Sequence, residues 1–242
     1  MDHFTNRNGL RLSYSLSIKN QNDRKIYIIC QWFFSDVLFS YDFLCEFIQV
    51  NTFRLCLKGC GNSEGEYSYG GFEQDAADID DAVKFLDSEG YIVDGIIGFG
   101  KGANDAIIYS ALYGGVKKII ALAPIIYATN CCMPQFFQDS IDEIQKTGEV
   151  RHHYLGKEIR FTEEMLDELM NLDMDYYSDK IKGDIYLIHG DADEKVPLSD
   201  ALEYASDLKE KCKGFFTLNC DHFFTTELDE VVEIIHKIIE SS

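Results

Sequence analysis

Between residues 10 and 19 apolar and polar positions trade places one by one. Leu10, Leu12, Tyr14, Leu16 and Ile18 alternate with Arg11, Ser13, Ser15, Ser17 and Lys19. A period of two predicts a half-buried strand, and Asn6-Arg-Asn-Gly9 ahead of it reads as a hairpin turn. The next run, Lys25–Cys30, is apolar without alternation, as expected of a strand covered on both faces of a parallel sheet. Helix-length segments then alternate with short apolar runs. The pattern predicts helices over Val37–Val50, Gln74–Glu89 and Ala103–Leu112, and strands over Phe53–Leu57, Asp94–Gly98 and Lys118–Leu122.

After Ala123-Pro124 the rhythm stops. Residues 125 to about 181 read as irregular and aromatic-rich, with one helix at Thr162–Asn171. Strand Asp184–His189, helix Leu198–Lys209, strand Gly214–Leu218 and helix Thr226–Ile239 then resume it. Repeated βα units predict an α/β chain with a mostly parallel, eight-stranded, doubly wound sheet and helices on both faces. The interruption is expected to be a cap inserted over the C-terminal ends of the strands, where such sheets place their sites. The second half has too few strands for its own sheet, so residues 1–242 are expected to form a single domain with this cap.

Composition narrows the function classes. A net charge of −20 leaves no room for a basic patch, which argues against nucleic acid and against an anionic membrane surface. No apolar run approaches a membrane span, and the N-terminal stretch lacks the apolar core of a secretory signal. The eight cysteines (30, 45, 56, 60, 131, 132, 212, 220) show no C-x-x-C pair and no metal-like spacing with histidine. Reduced thiols in the cytoplasm are the simplest expectation, with Cys131-Cys132 as the one candidate redox pair. No metal and no cofactor is implied, and the composition leaves the oligomeric state open.

Three segments carry candidate chemistry. Asp94-Gly-Ile-Ile-Gly-Phe-Gly-Lys-Gly-Ala103 reads as strand, glycine-dense turn and helix, the form of the G-x-S-x-G nucleophile elbow with Gly100 where serine would stand. Ile185-Tyr-Leu-Ile-His-Gly-Asp-Ala-Asp-Glu-Lys-Val-Pro197 is a buried strand ending in H-G-x-x-D-x-x-V-P, and Asp193 just past it can orient a histidine. Asn219-Cys-Asp-His-Phe-Phe224 supplies His222 after the following strand. Elbow, acid, then base is the chain order of a hydrolase triad. Asp193 could also be a turn residue before Val196-Pro197, and His222 a surface histidine.

Together these segments resemble the α/β-hydrolase superfamily, and within it the serine acyl-hydrolase branch of cinnamoyl and feruloyl esterases and monoacylglycerol lipases. Phe53-Arg-Leu-Cys-Leu-Lys-Gly-Cys-Gly-Asn-Ser-Glu-Gly65 is similar to that branch's F-R-x-D-x-R-G-H-G-x-S-E-G loop, with Lys58 for arginine and Cys60 for histidine. Tyr154-Leu-Gly-Lys-Glu-Ile-Arg-Phe-Thr-Glu-Glu164 resembles the esterases' short cap. The resemblance implies the α/β-hydrolase fold, His222 and Asp193 as base and acid, and Gly100 at a vestigial nucleophile position. It also implies that the backbone N–H groups of Lys101 and Phe33 would be the oxyanion-hole donors.

The departures from the family fall where its chemistry lies. Gly100 has no hydroxyl to attack an acyl carbon. In Ile28-Ile-Cys-Gln-Trp-Phe33, Gln31 replaces the family's histidine and Trp32 its glycine, which makes both pocket candidates. Loss of a triad member leaves roughly 10³–10⁴-fold acceleration over water, and a distorted oxyanion hole would remove about another 10²–10³. The leading expectation is therefore a catalytically impaired hydrolase that binds a small acyl or aromatic ligand. The alternative is an active hydrolase in which the Asp193–His222 pair works through water, or through a thiol such as Cys30 or Cys60. A nucleotide site is a third reading, because Gly98–Ala103 fits G-x-G-x-x-A, but no acidic ribose ligand follows the next strand. Tyr127, Phe136, Phe137, Tyr154 and Phe161 are candidates for cap core or for a ligand cage.

Overall fold

The computed structural model describes residues 2–30, 46–131, 135–154 and 157–241. The strands are β1 (Asp2–Thr5), β2 (Arg11–Ser17), β3 (Lys25–Cys30), β4 (Thr52–Leu55), β5 (Ile92–Phe99), β6 (Lys118–Leu122), β7 (Glu149–Tyr154), β8 (Lys157–Thr162), β9 (Asp184–Gly190) and β10 (Cys212–Leu218). The helices are α1 (Phe72–Ser88), α2 (Lys101–Leu112), α3 (Gln135–Thr147), α4 (Glu163–Met170), α5 (Met174–Ser178), α6 (Leu198–Leu208) and α7 (Leu228–Glu240). Eight strands form one sheet in the order β1-β2-β4-β3-β5-β6-β9-β10. β1 and β2 are antiparallel, as are β2 and β4, and every other pair is parallel.

The central strands are apolar on both faces, and alternate side chains enter two separate cores. Ile26, Ile28, Ile96, Ile119, Ile185 and Leu187 join α1, α2 and α6 on one face. Tyr27, Ile29, Ile97, Ile120, Tyr186 and Ile188 join α7 on the other. Ridges of apolar residues on both sides of each parallel strand are what let helices cover the whole sheet. The turn Asn6–Gly9 links β1 to β2 as expected, with Gly9 at φ 79° and the Asn6 side chain accepting from the Asn8 and Leu10 N–H groups. On β2 the alternation overstates the burial: Ser13 is buried and Leu16 is exposed, because the strand narrows into the solvated rim.

Two expectations need correction or limits. The stretch after β6 is less irregular than its pattern suggests. It holds α3, the antiparallel hairpin β7–β8, α4 and the short helix α5. Most of the predicted helix Val37–Val50 lies outside the described residues, as do Gln31, Trp32, Phe33, Cys45 and Cys132. The segment between β6 and β9 packs on the N-terminal turns of α1 and α2. Glu168 accepts from the Gly71 N–H at 2.7 Å, Phe161 meets Tyr69, and Met174 lies against the Asn104 amide. No helix among the described residues is long and apolar enough to cross a membrane.

Candidate functional site

β5 runs directly into α2 through Gly100, whose backbone stands at φ 52°, ψ −122°. This is the sparsely populated region that an elbow demands, and glycine enters it without a Cβ penalty. The Gly100 N–H donates to Leu122 O at 2.9 Å, and its carbonyl accepts from Ala103 N at 2.9 Å, so strand and helix are joined without a loop. Gly98 is required for another reason: a Cβ there would lie 2.3 Å from Gly102 O and 2.6 Å from Ala103 Cα. Gly98 is therefore a packing condition of the strand-to-helix crossing.

A second close approach brings the other two candidates together. β9 and β10 are neighbours, and the turns that follow them are laced by Asp191 N to Leu218 O (2.8 Å) and Ala192 N to Cys220 O (3.1 Å). Asp193 comes from the first turn and His222 from the second, and the His222 Nδ1 to Asp193 Oδ2 distance is 2.8 Å. The Asp193 side chain is fully buried. Its Oδ1 accepts from the backbone N–H groups of Lys195 (2.7 Å) and Val196 (2.9 Å), and its Oδ2 also lies 3.3 Å from His189 Nε2. Burial alone would raise this carboxyl, but donation from His189, His222 and Val196 outweighs it and holds the group well below the usual carboxylate range.

The loop carrying His222 is itself tightly built. Asp221 accepts from Phe223 N, Thr225 N and the Thr225 hydroxyl, and Phe224 adopts φ 55° while nearly fully buried. The last residue of β5, Phe99, lies 5.8 Å from the His222 ring and 5.8 Å from Phe224, centroid to centroid. The Asp193–His222 pair thus sits beside the residue that precedes Gly100.

Lys101 follows Gly100 on the elbow, and its side chain turns inward to a group the sequence pattern hides. Its Nζ pairs with Asp75 of α1, lies 3.2 Å from Asp105 of α2, and stands 4.7 Å from the Phe72 ring. All three charged side chains are buried. Burial raises both carboxyls, Asp105 well above its ordinary value, against the pull of the Lys101 cation. Burial opposes the ammonium, but the two acids more than compensate and hold it above its usual range. The neighbouring Cys30 is fully buried, and burial pushes its thiol well up; a thiol of this kind is a poor nucleophile.

The candidates Phe33, Gln31 and Trp32 lie outside the described residues. Phe161 is buried in the core and Tyr127 is half-buried, while the side chains of Phe136, Phe137 and Tyr154 lie outside the described set. Two cavities of about 430 and 550 Å³ lie along the seam between α1 and α4, sharing Gly71, Gln74 and Glu168. Neither is lined by Asp193 or His222.

No family model and no curated protein matches this chain. Solved structures do. Est1E from Butyrivibrio proteoclasticus, with ferulic acid bound, superposes with a TM-score of 0.77 at 19% identity, over 99% of this chain and 98% of its own. The Pyrococcus furiosus esterase Pf2001 gives 0.76 at 18% identity, over 98% and 88%. The esterase domain of a Rhodothermus marinus protein gives 0.65 at 16% identity, over 98% and 95%. The fold of this chain is the α/β-hydrolase fold.

Proposed function

We propose that this chain, with a hydrolase fold and glycine at its elbow, binds a small acyl or aromatic ligand and has lost covalent turnover. The observation that carries the reading is the Asp193–His222 pair, closed at 2.8 Å beside an elbow whose nucleophile position has no side chain. In this reading Asp193 and His222 are the inherited acid and base, Gly100 the vestigial nucleophile position, and the Lys101 and Phe33 N–H groups the oxyanion donors. Gln31 and Trp32 then shape the pocket, and residues 125–181 are its cap on a single domain. Without a hydroxyl at position 100, His222 has nothing on the elbow to deprotonate, and no acyl-enzyme can form. A cytoplasmic location belongs to the same reading and is supported by the free thiols of Cys30, Cys212 and Cys220.

The test is labelling by a fluorophosphonate probe and hydrolysis of short p-nitrophenyl esters, with ferulic acid titrated as a first binding probe. The wild-type chain should neither label nor turn over ester, and Gly100→Ser should do both. Wild-type esterase activity that disappears in His222→Ala would overturn the reading. That outcome would favour the second reading, in which the closed Asp193–His222 pair acts as general base on water. Buried Cys30, with its raised thiol, does not favour the thiol route.

A further inference from the structure

His189, the histidine of the H-G-x-x-D-x-x-V-P segment, is the penultimate residue of β9 and is fully buried. Its Nε2 lies 3.1 Å from the Val196 carbonyl and 3.3 Å from Asp193 Oδ2. Both neighbours are acceptors, so Nε2 must carry a hydrogen. Its Nδ1 is buried with no partner among the described residues. A proton there would be a buried donor without an acceptor, which the interior penalises. The ring is therefore neutral, in the Nε2–H tautomer.

Asp193 Oδ2, 3.3 Å from that Nε2, receives the His222 Nδ1–H. One carboxylate oxygen thus stands against two imidazoles, one on β9 and one in the turn after β10. The other acidic groups of these turns face elsewhere: Asp191 and Glu194 are exposed, and Asp221 accepts from Phe223 and Thr225. We infer that His189 is a positioning residue. Braced on the Val196 carbonyl, its Nε2–H stands against Asp193 Oδ2 and keeps that oxygen in line with His222. This inference rests on Asp193 and His222 being the acid–base pair of the site, and it goes beyond that pair in giving the motif histidine a task.

The test is imidazole ¹⁵N NMR on the full chain, which requires neither ligand nor turnover and is therefore separable from the test of function. In the wild type, His189 should show the neutral Nε2–H pattern at neutral pH. A charged or Nδ1–H ring at neutral pH would overturn the assignment without any variant. In His189→Leu the carboxylate loses this neighbouring N–H, and the low-field His222 Nδ1–H proton resonance should shift. His189→Gln, which restores an N–H, should return that resonance toward its wild-type position. A merely structural histidine would lower the melting temperature in both variants and leave the resonance unchanged, and that result would also overturn the inference. If His189→Leu fails to fold, the wild-type tautomer and the Gln variant decide it.

Discussion

Gly190 lies so close to Cys220 that a Cβ built on it would stand 2.4 Å from the Cys220 carbonyl oxygen, and 2.8 Å from that of Asp221. The turn bearing Asp193 and the turn bearing His222 touch here, backbone on backbone. The glycine of the H-G pair is the condition for their 2.8 Å hydrogen bond.

Gly190→Ala should therefore do more than lower stability. The two turns must part by about an ångström for the new methyl to reach ordinary contact, at a cost on the order of 1–3 kcal/mol. Urea unfolding reads the cost, and the low-field proton resonance of the His222 Nδ1–H reads the separation. Unchanged stability together with an unchanged resonance would show that the approach is not tight.

What could be read from the sequence was what is local. The apolar runs marked the sheet, because a strand covered on both faces carries few polar residues. The H-G-x-x-D segment marked Asp193, and Asn-Cys-Asp-His marked His222, because each lies just past a strand end. The stretch between β6 and β9 was misread as irregular for the opposite reason. Its α3 has Ile141 and Ile144 on one buried side, a helical spacing diluted by charge, and the hairpin β7–β8 buries only Val150 and Phe161 among charged residues such as Arg151, Arg160, Glu149 and Glu158. The Lys101–Asp75–Asp105 group was invisible because charged residues on helices ordinarily face water. Asp75 and Lys101 are 26 positions apart, and only the packing of α1 on α2 joins them.

That group makes a second prediction. Lys101→Met leaves two buried carboxyls without their cation, and breaking such a cluster typically costs about 3–5 kcal/mol. The sign of the pH dependence follows from the direction of the shifts. Both acids have folded values raised above the ordinary 3.8, so their protonated forms favour the fold and stability falls as pH rises through the raised values. Removing the lysine raises them further, so the loss should be larger near pH 8 than near pH 5. Unfolding of the variant at both values checks this, and an equal loss at both would show that the lysine is not compensating the acids. Asp75→Asn combined with Asp105→Asn in the Lys101→Met background should recover part of the loss.

Asp193 has the opposite sign. Its folded carboxyl lies below the ordinary 3.8, because donors from Lys195, Val196, His189 and His222 favour the charged form more than burial opposes it. The stability it contributes is fully present above about pH 4 and is lost as the pH falls toward the depressed value. Asp193→Asn removes that contribution and leaves the His222 Nδ1–H facing an amide in place of a carboxylate, at a cost on the order of 1–3 kcal/mol near neutral pH. The gap between wild type and variant should then close steadily below pH 4. Urea unfolding from pH 7 down to pH 2 measures it. A gap that stays constant over that range would mean that the carboxylate is held by its shape rather than by its charge, and that Asp193 does not exert the pull on His222 that an acid–base pair requires.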